Sequence, residues 1–353
     1  TMQTLSFDEF MRSLKQNMDT PHSMLLGAGA SVESDIPSAS DCIWEWKREI
    51  FLSQNPTMIE KYSNIKVDNI RIVIQKWFDE QQSFPASGSK EEYSFYAEKA
   101  LPIQDDRRKY FQHLVDGKKP SLGYHLISML AEIGWIKSIW TTNFDGLMIK
   151  CAHSYNLKPI EVTSDTAERV YRDGTARELL CVALHGDYKY GILKNTTSEL
   201  DLQNDIFIDA LSHELSNRHL VVIGYSGRDK SLMAALKKAY QVKGSGRLYW
   251  CGYGQDINED ISNLIENINK MGRTAFFIAA DGFDNTLYSI ARHCLSDNQA
   301  ILTKIEGLKQ RLGNCTDIGI TKFKTINSTI NKIVELNAFP ISFPKMCYQF
   351  QVK

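Results

Sequence analysis

The sequence predicts an α/β fold in which a parallel β-sheet carries helices on both faces. Several short runs are apolar throughout, and helical stretches separate most of them. Strands that are apolar on both sides must be covered on both faces, and helical connections between strands give parallel pairing. This is a Rossmann-like arrangement, to which we add a helical insertion and C-terminal helices. The predicted strands are residues 22–26, 137–141, 158–162, 179–184, 219–224, 247–251 and 274–278.

The first part of the sequence predicts two helices, one before and one after the first strand along the chain. Apolar residues at helical spacing predict a helix over residues 5–18, and Pro21 ends this pattern. After the strand, Ser40 or Asp41 is expected to cap a second helix that runs to about residue 52.

A helical insertion is expected over residues 57–116. This stretch contains no good strand pattern and has Tyr, Phe and Trp anchors on an otherwise polar background. Residues 85–89 are expected to form a loop inside it, because Pro, Gly and Ser cluster there. The helices predicted beyond the insertion are 124–133, 146–154, 203–217, 229–241 and 256–271, followed by one or two helices over 298–340 and an extended segment at 340–344.

Composition and charge exclude several classes of protein. The 353 residues are 43% hydrophobic and 24% charged, which is typical of a globular protein. Lys and Arg number 41 against 42 Asp and Glu, so no global basic field is present to hold nucleic acid. No apolar run reaches the roughly 18 residues that a membrane span needs, and the N-terminus carries no signal peptide. We therefore expect neither nucleic-acid binding nor membrane association.

Cysteine usage predicts a cytoplasmic protein without a cysteine zinc site. The seven cysteines are widely spaced, and their number is odd. No Cys-x-x-Cys motif occurs, which argues against both a disulfide framework and a zinc site. Thiols that fill core space as small apolar groups fit a reducing compartment.

The first motif is Gly27-Ala28-Gly29-Ala-Ser31, directly after the first strand. Glycines at the end of a strand let the backbone approach a pyrophosphate, and the amides that follow can bind anionic oxygens. The dinucleotide fingerprint would need a third glycine at position 32, where Val32 stands. The alternative is a tight turn with no ligand.

The second motif is Thr141-Thr142-Asn143-Phe-Asp145, at the end of the strand predicted over 137–141. Ligands bind at the carboxyl ends of strands in open α/β sheets. The alternative is that Asn143 or Asp145 caps the following helix. Capping explains one of these polar groups, but it does not explain four in a row.

The third motif is His185-Gly186-Asp187, after the apolar run 179–184. Histidine is the natural general base near neutral pH, so its place at this sheet edge indicates catalysis. The alternative, for any one of the eight histidines, is a structural role.

The fourth motif is Gly224-Tyr225-Ser226-Gly-Arg-Asp229, after the run 219–224. It is another strand followed by a turn that bears glycine and a hydroxyl group. The alternative is an ordinary βα loop in which Asp229 is a helix cap. Four strands that each end in such a loop predict a binding site more strongly than any single loop.

Taken in order, these loops resemble those of the sirtuin (Sir2) family, and more closely its Sir2-like branch in bacterial anti-phage defence systems. The loop at 27–31 is similar to the sirtuin GAGxS loop, and Ile36-Pro37 stands where the family has "GIPDFR". The loop at 141–145 resembles "TQNID", His185-Gly186 resembles the catalytic "HG", and residues 224–226 resemble "GTS". The resemblance spans about residues 22–285.

Two departures from the family pattern bear on the activity. Protein-deacylating sirtuins carry a four-cysteine zinc ribbon soon after the HG pair, whereas here no cysteine lies between Cys181 and Cys251. In addition, Ser38-Ala-Ser40 replaces the family's "DFR". The resemblance therefore implies a domain that consumes NAD without an acyl-lysine substrate, and no bound zinc is expected.

The resemblance implies roles for the residues at these positions. Asn143 would hold a ribose hydroxyl or the attacking water, and His185 would accept a proton. Asp145 would contact the nicotinamide amide and favour positive charge on the ribose.

Gly27, Gly29 and Ser31 would hold the pyrophosphate, with Ser226 and the backbone near Gly224 on the adenosine side. The other expected NAD-binding residues are Ala28, Thr142, Tyr225, Asp229 (which could be only a cap), and Asp281 and Phe283, placed beside the adenine by position alone.

The sequence thus predicts an NAD glycohydrolase that yields nicotinamide and ADP-ribose, or a cyclic variant, and depletes NAD in anti-phage defence. The alternatives are an NAD-dependent protein deacylase without zinc and a non-catalytic NAD or ADP-ribose sensor. Residues 1–297 would form the Sir2-like catalytic domain, and residues 298–353 a C-terminal helical extension or the start of a linker. A homo-oligomer and a sensor domain or partner that triggers the activity are expected.

Overall fold

A computed structural model describes residues 3–81, 83–89, 91–172, 175–184, 205–254 and 257–313. Its centre is one eight-stranded sheet in which every neighbouring pair of strands is parallel. The predicted fold class is therefore confirmed. The strands are β1 (Thr4–Leu5), β2 (His22–Leu26), β3 (Ile136–Thr141), β4 (Lys158–Val162), β5 (Glu178–Ala183), β6 (His219–Ile223), β7 (Arg247–Tyr253) and β8 (Thr274–Ala280).

Twelve helices surround this sheet within the described residues, and most of them match the predicted ones to within a few residues. They are α1 (Phe7–Gln16), α2 (Ala39–Gln54), α3 (Asp68–Asp79), α4 (Glu92–Ala100), α5 (Gln104–Val115), α6 (Leu122–Glu132), α7 (Leu147–Ala152), α8 (Asp205–Asn217), α9 (Lys230–Ala239), α10 (Glu259–Lys270), α11 (Phe283–Cys294) and α12 (Gln299–Leu312).

The order of the strands places a switch point next to β2. The order across the sheet is β1-β8-β7-β6-β2-β3-β5-β4. Strands β3, β4 and β5 therefore lie on one side of β2, and strands β6, β7 and β8 lie on the other, with β1 at the edge. Leu26 at the end of β2 is in register with Ile223 at the end of β6. Two loops therefore leave neighbouring strands in the crevice where open α/β sheets bind ligands.

The side chains of alternate strand residues pack into two hydrophobic cores, one on each face of the sheet. Met24 and Leu26 pack into the cluster formed with α1, α6, α7, α11 and α12. Leu25, between them, packs into the cluster formed with α8, α9 and α10. This alternation follows from the two-residue period of a strand, and it explains why the strand sequences are apolar throughout.

The helical insertion has a hydrophobic core of its own. Trp46, Ile74, Tyr96 and Phe111 are buried together there, with side chains from α2, α3, α4 and α5. The expected helices and the loop at residues 85–89 are confirmed, but α2 also packs into this unit although it precedes residue 57.

Three local features differ from the sequence-based expectations. The N-cap of α2 is Ser38, which accepts a hydrogen bond from the amide of Asp41, so neither Ser40 nor Asp41 is the cap. Strand β1 was not predicted, because two residues are too few to show a period. Helix α11 was not predicted either; nine of its twelve residues are buried, and the polar residues Asp284, Thr286 and Ser289 are among them.

Two buried histidines face each other at the amino ends of β2 and β6. The ring centroids of His22 and His219 are 4.9 Å apart. Burial lowers the pKa of His22 to about 3, and the neighbouring His219 adds to this effect. Burial and the charge of Arg247 lower the pKa of His219 to about 4. Both rings are therefore neutral at pH 7.

We expect the protein to lose stability as the pH falls below about 6.5, because the unfolded chain then binds protons that the folded histidines do not accept. His22→Leu should reduce the loss between pH 7 and pH 5 by about 2 kcal/mol. Urea denaturation at the two pH values measures this difference. His153→Leu, which changes an exposed histidine, is the control. An unchanged pH dependence in His22→Leu would contradict the prediction.

Candidate functional site

A cavity of about 550 Å³ opens at the carboxyl ends of β2, β3 and β6. One wall consists of the loops that follow these strands. The opposite wall is formed by the start of α2 and by Glu91, Tyr93 and Ser94 of the helical insertion, which the sequence analysis did not place at a site. The predicted site residues that line the cavity are Ala28, Gly29, Ser31, Thr142, Asn143, Asp145, Gly224, Tyr225, Ser226 and Asp229.

The glycines of the first and fourth motifs allow two backbones to touch. A Cβ atom on Gly27 would lie 2.4 Å from the carbonyl oxygen of Gly224. A Cβ atom on Gly224, whose φ is +71°, would lie 2.5 Å from the amide nitrogen of Ala30. The amide of Gly29 donates a hydrogen bond to the carbonyl of Gly224 at 2.9 Å. These glycines are therefore required for contact between the loops, whether or not a ligand is present.

The amides expected to bind a pyrophosphate donate within the protein instead. Besides Gly29, the amide of Ala30 donates to Gly27 at 2.9 Å and the amide of Ser31 donates to Ala28 at 3.0 Å. The loop closes as a short 3-10 turn, which the sequence did not predict. In this conformation the turn uses the amides of Ala30 and Ser31, and the contact with Gly224 uses the amide of Gly29.

Asn143 is held in a single orientation. Its side-chain Nδ2 lies 2.9 Å from the carbonyl oxygen of Gly27 and 3.0 Å from Ser31 Oγ. A carbonyl oxygen only accepts, so the atom that faces it must be the NH₂ group. Both amide hydrogens are then used inside the protein, and Oδ1 is the atom that Asn143 can offer to a ligand. Asn143 can therefore accept a hydrogen bond in the cavity but cannot donate one.

Ser31 and Asp145 form a buried polar network beneath this amide. Ser31 Oγ donates to Asp145 Oδ2, and it lies 2.9 Å from the hydroxyl oxygen of Tyr124 on α6. Ser31 is 2% exposed and Asp145 is 7% exposed. The sequence analysis assigned Ser31 to the pyrophosphate and missed Tyr124, because α6 reads simply as a helix that covers the sheet.

The capping alternative applies to part of the second motif. The other oxygen of Asp145, Oδ1, accepts a hydrogen bond from the amide of Leu147 at the start of α7, at 2.8 Å. The carboxylate therefore supports both the helix and Ser31. Asn143 caps nothing: its own amide donates to Thr141 Oγ1 at 2.9 Å.

In the fourth motif, Asp229 is the N-cap of α9. Its Oδ1 accepts hydrogen bonds from the amides of Ser231 and Leu232, at 2.9 and 3.1 Å. Tyr225 donates from its hydroxyl group to the carbonyl oxygen of Asp229 at 3.4 Å, and burial raises the pKa of Tyr225. Ser226 is exposed at the cavity. The cap alternative for Asp229 is thus correct.

Asp281 and Phe283, which were expected beside the adenine by position alone, are not among the residues that line this cavity. Phe283 begins α11 and is 2% exposed, with its ring centroid 5.1 Å from that of Tyr124. Asp281 is exposed and accepts a hydrogen bond from Asn285 Nδ2 at 3.4 Å. The helix that was not predicted carries this segment into the core rather than along the rim.

A pair of carboxyl groups, Glu33 and Asp284, connects the segment after the first motif to the surrounding helices. Asp284 accepts hydrogen bonds from Ser121 Oγ and from the amide of Gly123, both at 2.7 Å. Glu33, just after the glycine loop, hydrogen-bonds to Asp284. Burial raises the pKa of Glu33 to about 7, and the bond to Asp284 and its charge add to this effect. Sequence spacing gave no signal for this pair.

His185 lies outside the described residues, as do Gly186 and Asp187. Leu184 is the last described residue before this motif. It is buried, and its amide donates a hydrogen bond to the carbonyl oxygen of Thr141 at 2.9 Å. Strand β5, which precedes the third motif, therefore ends beside β3, whose following loop carries Asn143.

Among the described residues, no group of three or more His, Cys, Asp or Glu side chains could hold a metal ion. The cysteines in this part of the chain are free and buried. None of its helices combines the length and the apolar character needed to cross a membrane.

The fold and the cavity define a parallel α/β domain with a ligand site at its switch point. A family model described as the SIR2-like domain matches residues 137–272. A solved structure described as "Structural Basis for the Mechanism and Regulation of Sir2 Enzymes" is 13% identical; the match covers 82% of this chain and 98% of that chain, with a TM-score of 0.40. A search of curated proteins gave no match.

Residues 137–272 are therefore similar to a SIR2-like domain, which agrees with the resemblance noted for the loops in this segment. The matched segment includes Asn143, Asp145 and the loop that begins at Gly224, whereas the loop at residues 27–31 precedes it. A SIR2-like domain supports an NAD-related activity.

Gly27→Ala is expected to lower the free energy of unfolding by about 1–3 kcal/mol, because the added methyl group would collide with the backbone of Gly224. Chemical denaturation measures the change. Gly307→Ala is a matched control, since Gly307 lies within α12 with nothing within 4 Å of its Cβ position, and alanine should stabilise that helix by about 0.5–1 kcal/mol. Equal effects of the two substitutions would rule out the backbone contact.

Proposed function

We propose that this chain is an NAD⁺ glycohydrolase, which cleaves the nicotinamide–ribose bond to give nicotinamide and ADP-ribose. The observation that carries the proposal is the locked amide of Asn143, which presents Oδ1 at a cavity in a SIR2-like domain. An acceptor fixed at that point suits the proton of a water molecule or of a ribose hydroxyl group.

The chemistry requires little from the protein at the leaving group. Nicotinamide is cationic while bound to the ribose and departs as a neutral molecule, so it needs no proton. Water forms a bond to the anomeric carbon as the C–N bond breaks, and one proton is released from the water. The protein must hold the ribose, stabilise positive charge on it and accept that proton.

Asn143 and His185 divide the handling of the water between them. Asn143 Oδ1 would accept one hydrogen of the water and so fix its direction of attack. His185 would take the other proton, a role in which a well-placed base is worth about 10²–10⁴-fold in rate. The hydrogen bond between Leu184 and Thr141 supports this pairing, because it brings the chain to the strand that carries Asn143.

Asp145 would contribute through its charge and by contact with the nicotinamide amide. Its two oxygens are engaged by Ser31 and by the amide of Leu147. A carboxylate that is 7% exposed at the cavity wall favours the positive charge that develops on the ribose, since low polarity strengthens the attraction. Each carboxylate oxygen can accept a second hydrogen bond, so the contact to the nicotinamide amide is compatible with these internal bonds.

The proposed defence role rests on the resemblance of the four loops. We propose that the chain depletes NAD during phage infection and that self-association and a sensor domain or partner control its activity. Comparison of cellular NAD during infection, with the wild type and with an Asn143 variant, tests this role separately from the chemistry.

Asn143→Ala and His185→Ala should each reduce nicotinamide release by at least about 100-fold, since each removes a group that handles the water. Purified protein is incubated with NAD⁺, and nicotinamide and ADP-ribose are quantified by liquid chromatography. Asn64→Ala and His153→Ala change exposed residues of the same types and should retain full activity. Thermal unfolding confirms that all four variants are folded.

The same assay separates the alternatives. NAD loss that requires an acylated peptide and yields O-acyl-ADP-ribose would establish a deacylase. Binding of NAD without turnover would establish a sensor. Near-normal hydrolysis by folded Asn143→Ala would exclude the proposed role of this residue.

A further inference from the structure

Tyr124 is a buried polar residue that the proposed chemistry does not use. It lies on α6, is 1% exposed, and its hydroxyl oxygen is 2.9 Å from Ser31 Oγ. Ser31 Oγ in turn lies 3.0 Å from Nδ2 of Asn143. Tyr124 therefore contacts the serine that holds the amide of Asn143.

A count of hydrogens fixes the direction of the bonds around Ser31. Its single hydroxyl hydrogen is donated to Asp145 Oδ2. Ser31 Oγ can then only accept from its other two neighbours, Asn143 Nδ2 and the hydroxyl group of Tyr124. Tyr124 is thus a donor. Burial, with the charge of Asp145, raises its pKa well above the ordinary value, so it keeps its proton at all physiological pH values.

The tyrosine cannot easily move away from this position. Asp284 accepts hydrogen bonds from the amides of Leu122 and Gly123, which fixes the first turn of α6. The ring of Phe283 packs against Tyr124, and a Cβ atom on Gly123 would lie 2.5 Å from that phenyl ring. The hydroxyl group is therefore supplied by a rigid helix, as a preorganised site requires.

We propose that Tyr124 is a positioning residue for the cavity: by donating to Ser31 Oγ, it directs the Ser31 proton to Asp145 and so locks the amide plane of Asn143. The proposal rests on the proposed function in so far as Asn143 acts on NAD. Without the tyrosine hydroxyl group, Ser31 keeps an unsatisfied lone pair and can turn its own proton away from Asp145. The Asn143 amide then loses one of its two fixed partners, and only the carbonyl oxygen of Gly27 still holds it.

The first test compares Tyr124→Phe with Tyr240→Phe. Tyr240 is equally buried and donates its hydroxyl group to the carbonyl oxygen of Arg247 at 3.3 Å, and it does not line the cavity. We expect Tyr124→Phe to lower kcat about tenfold while KM stays within about twofold, because the lost order affects the transition state more than binding. Tyr240→Phe should change neither constant. An equal loss in both variants, or no loss in Tyr124→Phe, overturns the proposal.

The second test asks whether Tyr124 acts through Ser31. In a Ser31→Ala background, the further change Tyr124→Phe should alter kcat by less than about twofold, because the connecting atom is already gone. A full tenfold further loss would mean that the tyrosine acts by another route and would overturn the proposal. Should Tyr124→Phe fail to fold, Ser31→Ala alone decides: it keeps the ring and must lower kcat by a similar factor.

The third test does not depend on enzymatic activity. Selective ¹⁵N-asparagine labelling shows the side-chain NH₂ signals of Asn143, which are assigned by their loss in Asn143→Ala. These hydrogens should exchange with solvent at least about tenfold faster in Tyr124→Phe than in the wild type or Tyr240→Phe, because a hydrogen-bonded group loses its fixed partner. A wild type that releases no nicotinamide refutes the proposed function alone, and the exchange rates then decide on Tyr124. Equal exchange rates refute the positioning role.

Discussion

The contact between the backbones of Gly27–Gly29 and Gly224 is the constraint on which the rest of the site depends. It joins the ends of the two strands that flank the switch point, and it leaves no room for a side chain at Gly27, Gly29 or Gly224. Because the loops are held together, the carbonyl of Gly27 stands where the amide of Asn143 can reach it. The position of that carbonyl in turn determines which atom of Asn143 faces the cavity.

The network beneath the cavity works because its polar groups are mutually satisfied. Ser31 donates to Asp145 and accepts from its two other neighbours, while Asp145 also holds the start of α7. Buried polar groups are costly when unpaired, but a complete network specifies one arrangement of its members. In the proposed reaction, rigid support of this kind lets an asparagine, which carries no charge, orient the attacking water molecule.

The helical insertion contributes to the site in two ways. It supplies the wall opposite the strand loops, through Glu91, Tyr93 and Ser94. It also contacts the loop that holds Asn143, because Phe144 packs against the central core and against the core of the insertion, with its ring centroid 4.4 Å from that of Phe111. The loop at residues 141–145 is thus fixed on one side by hydrogen bonds and on the other by an aromatic contact.

The sequence by itself determined the fold class, the positions of most strands and helices, and the loops that carry Gly27, Asn143 and Gly224. Strand period, helical spacing and motif order are local properties of the chain, so they can be read without coordinates. Only the tertiary structure decided that the glycines serve loop contact, that Asp229 is a cap, and that Phe283 belongs to the core. It also brought Tyr124 to Ser31, residues separated by 93 positions in the chain. Such pairings depend on how helices are seated on the sheet, and no local pattern in the sequence encodes that seating.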